Sequence, residues 1–358
     1  MSNHIDHIEI TNFKSIRHQK IEGCKRINVF IGYPNVGKSN ILEALSLNCI
    51  PLLRLGESFH LNDLVRLHDF SELFYNRDYR SQLLIKLFYQ KSNGKEKEIE
   101  LTGNIDSNFN SCNIVFKEFL NENHSRSNVI SDTSVNGNAT IKNPNDQILY
   151  SFLNNGDKPI TSLIKKYDYR SSVVLMLNRG FSLSIPFGGN LIDLLQRNFD
   201  FGKELVDIFK EYGLKIFLES DSISLTKELP NGISVRIPYH QMADTLRRLI
   251  FYKASIMSNE NSVLLFEEPE AHMFPPYISK FTGDIIYNKE NNNQYFINTH
   301  SPFVMNDFLE DARDELSVYV VGLKNGETVI KRLSDEQMHD VYQYGIDLFF
   351  NIERYLVD

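Results

Sequence analysis

Residues Gly32–Ser39 read "GYPNVGKS" and fit the pattern G-x-x-x-x-G-K-[ST], which is typical of loops that bind nucleotide phosphates. Glycine at both fixed positions lets the backbone curl, so that successive N–H groups point at the anion from a helix N-terminus. We expect Lys38 to reach the β- and γ-phosphates and the Ser39 hydroxyl to bind Mg²⁺. The residues expected to contact the nucleotide in and beside this loop are Gly32, Asn35, Val36, Gly37, Lys38, Ser39 and Asn40.

Two adjacent carboxylates follow an apolar run far downstream, in "VLLFEEPE" (Val263–Glu270). Acids at the C-terminal end of a buried strand stand where an α/β ATPase places its Mg²⁺-supporting residue and its base. We expect Glu267 to support Mg²⁺ through a water molecule and Glu268 to act as the general base toward the attacking water. Taken alone, the run is equally typical of a core strand that ends in Glu-Glu-Pro, and the phosphate loop favours the catalytic interpretation.

A single histidine, His300, lies at the end of the next predicted strand, in "NQYFINTHSP". A histidine at that position can hydrogen-bond the γ-phosphate and hold the water and the base in line. Isolated histidines are more often structural, but the order strand, acid pair, strand, histidine favours a functional role. The predicted catalytic residues are therefore Lys38, Glu268 and His300.

The elements that must position these residues are predicted from hydrophobic periodicity and turn residues. "RINVFIG" predicts a buried strand and "SNILEALSL" a helix, so the loop lies between strand and helix as its motif requires. The N-terminal "IDHIEITNFKSIRHQKIE" predicts a strand pair, and "SQLLIKLFYQ" and "KEIELTGNI" predict two more strands. The Asn-, Ser- and Thr-rich stretch 107–146 is expected to be a long loop or a poorly packed excursion, and residues 147–212 to be mainly helical.

Beyond residue 212, the pattern predicts a short set of further elements. These are the strands "KIFLES" and "ISVRIP", a helix over Met242–Met257, the two strands described above, a hairpin in "LSVYVVGLKNGETVIKRL" and a closing helix.

Composition limits the class of protein. The chain has 358 residues, 42% hydrophobic and 23% charged, which is ordinary for a globular protein. The chain has only three cysteines, Cys24, Cys49 and Cys112, and their spacing suggests neither a disulfide framework nor a zinc site. No apolar run approaches the ~20 residues needed to span a bilayer. We therefore expect a cytoplasmic protein without a membrane partner. The net charge of −8 argues against a protein that coats DNA, although a local basic patch stays possible.

The string "PNVGKS" is also familiar from small GTPases. The sequence can be searched for the other motifs that a GTPase requires. A GTPase needs D-x-x-G for Mg²⁺ and the γ-phosphate, and N-K-x-D to read guanine. No Asp has Gly three positions later, and "NKEN" (Asn288–Asn291) lacks the carboxylate that reads guanine. The sequence therefore favours ATP over GTP.

Spacing then separates the ATPase classes. Lys38 and Glu267 are 229 positions apart (267 − 38), much farther than in AAA+ rings or GTPases. In this spacing, the chain resembles the SMC/RecF/OLD-like branch of ABC-type ATPases, often called AAA family ATPases in bacteria. Four stretches carry the resemblance: "IEITNFKSI", "GYPNVGKSNILEAL", "LLFEEPEAHMFPPY" and "NTHSPF".

This resemblance implies an α/β P-loop NTPase fold: an ABC-type head with an antiparallel β subdomain and an inserted helical lobe. The implied domains are 1–145 with the phosphate loop and β subdomain, 146–245 as the mainly helical lobe, and 246–358 as the return to the core. It further implies that Lys14 lies near the nucleotide and that Glu270–His272 form the loop linking one active site to the other. The implied cofactors are ATP and Mg²⁺.

One departure concerns the signature at the start of the helix before the acidic strand. Heads of this family carry Ser-Gly there and use it to contact the γ-phosphate of a second subunit, whereas this chain has Ala243 and Asp244. A carboxylate facing a γ-phosphate is unfavourable. Either Asp244 points away, or Thr245, Arg247 or Arg248 makes that contact.

Three functions fit the sequence. The first is an ATP-hydrolysing switch that forms a homodimer or a higher oligomer through its heads and controls a protein partner encoded nearby, in bacterial defence or genome maintenance. Because no acidic nuclease cluster follows Pro302, we expect any nuclease or toxin activity to come from another polypeptide. The second is a RecF-like DNA-binding clamp, which the acidic charge disfavours. The third is an ATP sensor with little turnover.

Overall fold

A computed structural model of the chain describes residues 3–55, 59–90, 95–106, 111–122, 135–145, 148–152, 163–175, 180–197, 199–219 and 222–356. Backbone contacts divide the chain into two units. The first comprises Met1–Lys166, Asn261–Glu268 and Asn293–Asp358, and the second comprises Tyr167–Glu260 and Pro269–Asn292. The phosphate loop, the acid pair and His300 therefore all belong to the first unit.

The strands and helices follow one another in a mixed α/β order. The strands are β1 (Ile5–Phe13), β2 (Ile16–Ile21), β3 (Ile27–Ile31), β4 (Leu83–Tyr89), β5 (Lys95–Ile105), β6 (Cys112–Glu122), β7 (Val135–Ile141), β8 (Leu149–Phe152), β9 (Ile164–Tyr167), β10 (Leu214–Leu218), β11 (Ile223–Glu228), β12 (Ser234–Pro238), β13 (Val263–Glu267), β14 (Gln294–Asn298), β15 (Leu316–Lys324) and β16 (Glu327–Arg332). The α-helices are α1 (Lys38–Ser46), α2 (Leu61–Leu64), α3 (Leu191–Arg197), α4 (Phe199–Lys210), α5 (Asp244–Met257), α6 (Pro275–Tyr287), α7 (Pro302–Asp311), α8 (Asp335–Tyr344) and α9 (Ile352–Leu356).

A six-stranded sheet in the order β16-β15-β3-β14-β13-β9 carries the candidate site. Strands β3, β13, β14 and β15 run parallel to their neighbours within this group. Every residue of β3 and of β14 is buried, as expected for parallel strands covered on both faces. The predicted strands around the phosphate loop, the acid pair and the histidine are confirmed.

The register of this sheet brings the ends of three strands together. Glu267 of β13 pairs with Asn298 of β14, and Asn298 pairs with Phe30 of β3. Because parallel strands end at one edge, the residues that follow them meet there. Helix α1 begins at this edge and buries Ile41, Leu42, Ala44 and Leu45.

An antiparallel sheet in the order β2-β1-β4-β5-β6-β7-β8 forms a second layer of the first unit. It confirms the predicted N-terminal strand pair and the antiparallel β subdomain. The expectation of a long loop over 107–146 is wrong for the described part, because β6 and β7 lie there. Cys112, Ile114 and Phe116 are buried at every second position, and this alternation fixes the strand despite its polar composition. Residues 107–110, 123–134 and 146 lie outside the described residues.

The second unit contains helices α3–α6 and the three-stranded antiparallel sheet β10-β11-β12. The predicted helices in "GGNLIDLLQRNFDFGKELVDIFKEYG" and in Met242–Met257 are confirmed. The expectation that residues 147–212 are mainly helical is wrong before Leu191, since β8 and β9 precede the helices. Strand β11 lies between the two predicted short strands and was not predicted. The domain bounds 145 and 245 stay a prediction.

The C-terminal part of the first unit ends in helices. The predicted hairpin is β15 and β16, and the predicted closing helix is α8, which begins with a capping box of Ser334 and Gln337 and ends at Gly345 with φ 60°. Over the described ranges, helices fall short of the length and apolarity that a membrane span requires.

Candidate nucleotide-binding site

The phosphate loop needs glycine at both motif positions. Gly37 has φ 98° and precedes α1, and an L-residue rarely adopts this conformation. A Cβ on Gly32 would lie 2.3 Å from the carbonyl oxygen of Val321. Asn35 also has positive φ, 63°, which asparagine tolerates better than most residues. The loop is therefore held in a curled form with its backbone close to β15.

The ammonium of Lys38 lies inside this curl. Its Nζ donates to the carbonyl oxygens of Gly32 and Tyr33, both at 2.8 Å. Burial lowers the pKa of Lys38, while the nearby carboxylates of Glu268 and Glu267 act in the opposite direction. The side chain is thus a buried cation whose present partners are weak carbonyl acceptors, and anionic oxygens would bind it more strongly.

Ser39 and Glu267 meet across 228 positions of sequence. The Ser39 hydroxyl donates to Glu267 Oε1 at 2.5 Å. On the other side, Asn298 Nδ2 donates to Glu267 Oε2 at 2.7 Å. Burial raises the pKa of Glu267, and these two hydrogen bonds oppose the rise. The structure therefore brings both predicted metal-site residues together and adds Asn298, which the sequence analysis did not single out.

The signal for Asn298 was present in the sequence. It is a polar residue that follows the apolar run Tyr295–Ile297 at the end of β14, two positions before His300. Its side chain is fully buried, and its Oδ1 has no hydrogen-bond partner among the described residues. A buried amide oxygen without a partner is costly in free energy. The Oδ1 of Asn298, beside Glu267, is therefore a candidate contact for a bound ligand.

Glu268 and His300 form a pair at the same edge. His300 Nε2 lies 3.4 Å from Glu268 Oε1. Glu268 has φ 42°, and its N–H donates to the carbonyl oxygen of Asn298 at 3.0 Å. Burial and the positive charge of Lys38 lower the pKa of His300, and Glu268 acts against them. The imidazole is thus neutral at neutral pH and next to a carboxylate that is half exposed.

A chain of side-chain hydrogen bonds supports the loop from behind. Asn40 Nδ2 donates to Ser15 Oγ at 2.6 Å, and Ser15 Oγ lies 2.6 Å from Thr328 Oγ1. Thr328 Oγ1 donates to the carbonyl oxygen of Val36 at 2.9 Å. Asn40, predicted as a nucleotide contact, is therefore engaged with the turn before β2.

Lys14 forms an ion pair with Glu43, a buried carboxylate of α1. Its Nζ is hydrogen-bonded to Glu43 and donates to the carbonyl oxygen of Arg66 at 2.6 Å. Arg66 Nε donates to the other oxygen of Glu43 at 2.7 Å. The side chain of Glu43 is only 4% exposed, so Lys14 and Arg66 compensate a charge that would otherwise be buried alone. The nucleotide contact of Lys14 stays a prediction.

In the second unit, the carboxylate of Asp244 is enclosed by donors at the start of α5. Tyr169 donates to it at 2.8 Å, Arg248 Nε at 2.8 Å and Arg247 at 3.2 Å. Its pKa is lowered even though burial acts to raise it, because the hydrogen bonds from Arg248 and Tyr169 and the charges of both arginines outweigh burial. Thr245 Oγ1 donates to the carbonyl oxygen of His272 at 3.0 Å.

Strand order now defines the class of protein. Strand β14, with His300 just beyond it, lies between β3, which leads into the phosphate loop, and β13, which ends in the acid pair. A parallel sheet that presents these groups along one edge is the fold of P-loop ATPases of the ABC type, of the SMC/RecF-like branch. The family model described as "AAA domain, putative AbiEii toxin, Type IV TA system" matches residues 27–306, and the chain belongs to this family.

Individual relatives are distant or partial. The chain is 36% identical over 72 residues to the DNA replication and repair protein RecF of Thermoanaerobacter sp., a match that covers 20% of this chain and only 18% of RecF. It is 23% identical over 329 residues to a protein of Helicobacter pylori named ATP/GTP phosphatase, covering 83% of this chain and 85% of that protein.

Among solved structures, the chain is similar to an Smc head domain with an extended coiled coil, bound to the C-terminal domain of ScpA derived from Pyrococcus furiosus. The TM-score is 0.47 at 13% identity, and the match covers 95% of this chain and 99% of that chain.

Proposed function

We propose that this chain binds ATP together with Mg²⁺ and hydrolyses it to ADP and phosphate. The contact between Ser39 and Glu267 carries the proposal, because it joins the phosphate loop to the acid pair. Lys38, Glu268 and His300 lie at the same edge of the sheet. Each predicted step of hydrolysis therefore has a candidate group within one compact site.

The residues around Glu267 fit a hard divalent cation. A hydroxyl from Ser39 and a carboxylate from Glu267 converge, and the amide oxygen of Asn298, which lacks a hydrogen-bond partner in the described part of the chain, is buried beside them. Mg²⁺ prefers such oxygen donors and usually keeps several water molecules. When bound, Mg²⁺ neutralises charge on the β- and γ-phosphates. Ser39 and Glu267 would hold the ion, and Asn298 would orient Glu267.

The remaining residues act on the substrate and the water. Lys38 exchanges its two carbonyl acceptors for oxygens of the β- and γ-phosphates. Glu268 accepts a proton from the water that attacks the γ-phosphorus. His300, neutral because burial and Lys38 lower its pKa, donates one N–H to a γ-phosphate oxygen and keeps the attacking water beside Glu268.

Glu268→Gln tests this proposal directly. The variant keeps the size of the side chain but cannot accept the proton, so we expect kcat to fall about 10²- to 10⁴-fold while MgATP binding is retained. Phosphate release and fluorescent-nucleotide binding measure the two properties. Unchanged hydrolysis in Glu268→Gln contradicts the mechanism, and no hydrolysis in the wild-type chain supports an ATP sensor instead.

Nucleotide choice is part of the proposal. The relative from Helicobacter pylori is named ATP/GTP phosphatase, whereas this chain lacks the N-K-x-D motif that reads guanine. We propose ATP as the preferred substrate. Competition of GTP against labelled ATP measures the preference, and equal affinity for the two would contradict it.

We further propose that ATP closes a homodimer of heads and that hydrolysis opens it. The ion pairs of Asp244 with Arg247 and Arg248 support this, because they compensate the carboxylate that would oppose a γ-phosphate at the start of α5. Sedimentation of Glu268→Gln with and without ATP tests dimerisation. A monomer under both conditions would exclude an ATP-dependent dimer.

The proposed role of this switch is to control a protein effector or nuclease in bacterial defence or genome maintenance. The family description, which names a toxin and a type IV TA system, supports that context. Purification together with the product of the adjacent gene tests it: a stable complex whose activity depends on ATP supports the role, and a fully active ATPase that never co-purifies with that product argues against it.

The RecF match favours a second candidate, an ATP-dependent DNA-binding clamp. The net charge of −8 weighs against it. An ATP-dependent mobility shift of duplex DNA that weakens steeply with salt would support the clamp.

A further inference from the structure

A cavity of about 380 Å³ lies in the first unit between α7, α8 and the segment that follows α8. We call it the α7–α8 groove. Its apolar lining includes Met305, Leu309, Val341, Ile346, Leu348 and Phe349. Helix α7 begins at Pro302, two positions after His300, and Pro302 itself lines the groove. The groove therefore lies against the helix that continues from the candidate catalytic histidine.

Large apolar side chains are exposed on the elements that wall the groove. The exposed fraction is 52% for Phe303, 74% for Tyr344 and 86% for Phe350. Isolated exposed aromatics are common, but several on the elements around one cavity are typical of an interaction site.

The charge of these two helices is uniformly negative. Helices α7 and α8 carry six carboxylates and no Lys or Arg in their sequences. Both charged residues that line the groove, Glu310 and Asp347, are acidic and exposed. Asp335 is paired with Lys25 and Arg332, and Arg313 lies over the ring of Tyr342 at 4.8 Å. Glu310 and Asp347 therefore give the rim of the groove a negative charge, which favours a positively charged partner.

We infer that the α7–α8 groove binds an amphipathic helix of a partner protein, with apolar residues at i, i+3/i+4 and i+7 and Lys or Arg beside them. Apolar anchors enter the cavity, and the basic residues face Glu310 and Asp347. Because α7 begins two positions after His300, the bound helix contacts the helix that directly follows the candidate catalytic histidine. This inference deepens the proposed control of a partner protein and requires no nucleotide for binding.

The test uses a fluorescein-labelled 18-residue peptide of Leu and Lys with helical spacing, titrated with the full chain without nucleotide. Two matched peptides accompany it: one with the same composition and no helical spacing of Leu, and one with Glu in place of Lys. We expect the amphipathic basic peptide to bind and both matched peptides to bind at least tenfold more weakly, since each lacks one of the two required features.

Variants then locate the site. Asn306→Trp fills the groove from an exposed position of α7, and Glu310→Lys reverses a charge at its rim; each is expected to weaken binding about tenfold. The matched control is Glu336→Lys, which makes the same charge change at an exposed position of α8 outside the groove lining and is expected to change binding less than twofold. Thermal unfolding and MgATP binding of all three variants show that they are folded.

Three results would overturn the inference. Equal binding of the two Leu–Lys peptides, or equal loss in Glu310→Lys and Glu336→Lys, would show a general attraction between charges. Absence of binding by the amphipathic peptide to a folded chain would exclude this occupant. A wild-type dimer that Asn306→Trp converts to a monomer would show that a second copy covers the groove. The ATPase measurements on Glu268→Gln are independent of all three results. A failure of the peptide-binding inference would therefore leave the proposed ATPase activity unaffected.

Discussion

Asn298 Nδ2 donates a hydrogen bond of 2.7 Å to Oε2 of Glu267, on the side of the carboxylate opposite to Ser39. The two residues are paired in register on neighbouring parallel strands, so the contact is fixed by the sheet. A glutamate has one more rotatable bond than an aspartate, and the amide of Asn298 removes that freedom. Asn298 thereby positions the residue proposed to support Mg²⁺.

Asn298→Leu tests this positioning role. Leucine has a similar size but leaves Glu267 Oε2 without its donor, so we expect the Mg²⁺ affinity of the ATP complex to fall about 10- to 100-fold. Nucleotide binding in EDTA should stay nearly unchanged, which separates the metal effect from misfolding. Asn28→Leu is the matched control: Asn28 is another fully buried amide on a neighbouring strand, but it donates to the carbonyl oxygens of Lys25 and Tyr295. An equal loss of Mg²⁺ affinity in both variants would show a general packing effect.

Gly37→Ala should destabilise the chain by about 3 kcal/mol, from backbone strain and steric overlap together. Its φ is 98°, and an added Cβ would lie 2.2 Å from Thr328 Oγ1 and 2.6 Å from Ser15 Oγ. Gly345→Ala provides the control, because Gly345 has φ 60° and no atom of the described residues lies within 4 Å of an added Cβ; it should cost about 1 kcal/mol. Chemical denaturation measures both values. A similar loss in the two variants would contradict the role of the Ser15–Thr328 pair.

Lys14→Met distinguishes a structural ion pair from a nucleotide contact. Removing this cation leaves the buried carboxylate of Glu43 with Arg66, so we expect a loss of about 2 kcal/mol in the free energy of unfolding. The double variant Lys14→Met with Glu43→Leu removes the buried charge as well and should recover most of that stability. If Lys14 also contacts ATP as predicted, both variants bind ATP more weakly than the wild type. Unchanged ATP affinity in the stable double variant would exclude that contact.

His300 is expected to titrate below its ordinary pKa of 6.5, because burial and the charge of Lys38 both disfavour the imidazolium. The unfolded chain then takes up this proton at higher pH than the folded chain. The stability that this group contributes is fully present above about pH 6.5 and is lost as the pH falls through the folded pKa. NMR titration of histidine Cε1–H signals, with His300→Asn to assign the resonance, measures the midpoint.

Lys38→Met should move the His300 midpoint upward, because it removes a positive charge while Glu268 remains at 3.4 Å. A midpoint at or above 6.5 in the wild type, or one that does not respond to Lys38→Met, would contradict the electrostatic coupling of Lys38 and His300.

The central part of the site could be predicted because each of its residues is tied to a local pattern. The phosphate loop, the acid pair and the histidine each lie at the end of a short strand whose largely apolar run is visible in the sequence. Parallel strands then bring their ends to one edge. Asn298 and Thr328 were missed because their importance depends on which atoms they meet across the sheet.

The error over residues 107–146 has a similar origin. Asn, Ser and Thr suggested a loop, but pairing with β5 makes β6 a strand, since each strand supplies the hydrogen bonds and the apolar face that its neighbour lacks. Composition averages over both faces of a strand and hides an alternation of buried and exposed residues.

By itself, the sequence determined the type of nucleotide loop, the order of the candidate catalytic groups and the absence of a guanine-reading motif, because these are properties of short segments. Only the tertiary structure decided that Asn298 orients Glu267, that Lys14 lies on Glu43, and that Arg247 and Arg248 compensate Asp244. Those contacts depend on register and on which side chains share a buried space, and residues far apart in the chain reach them only when the sheets and helices pack.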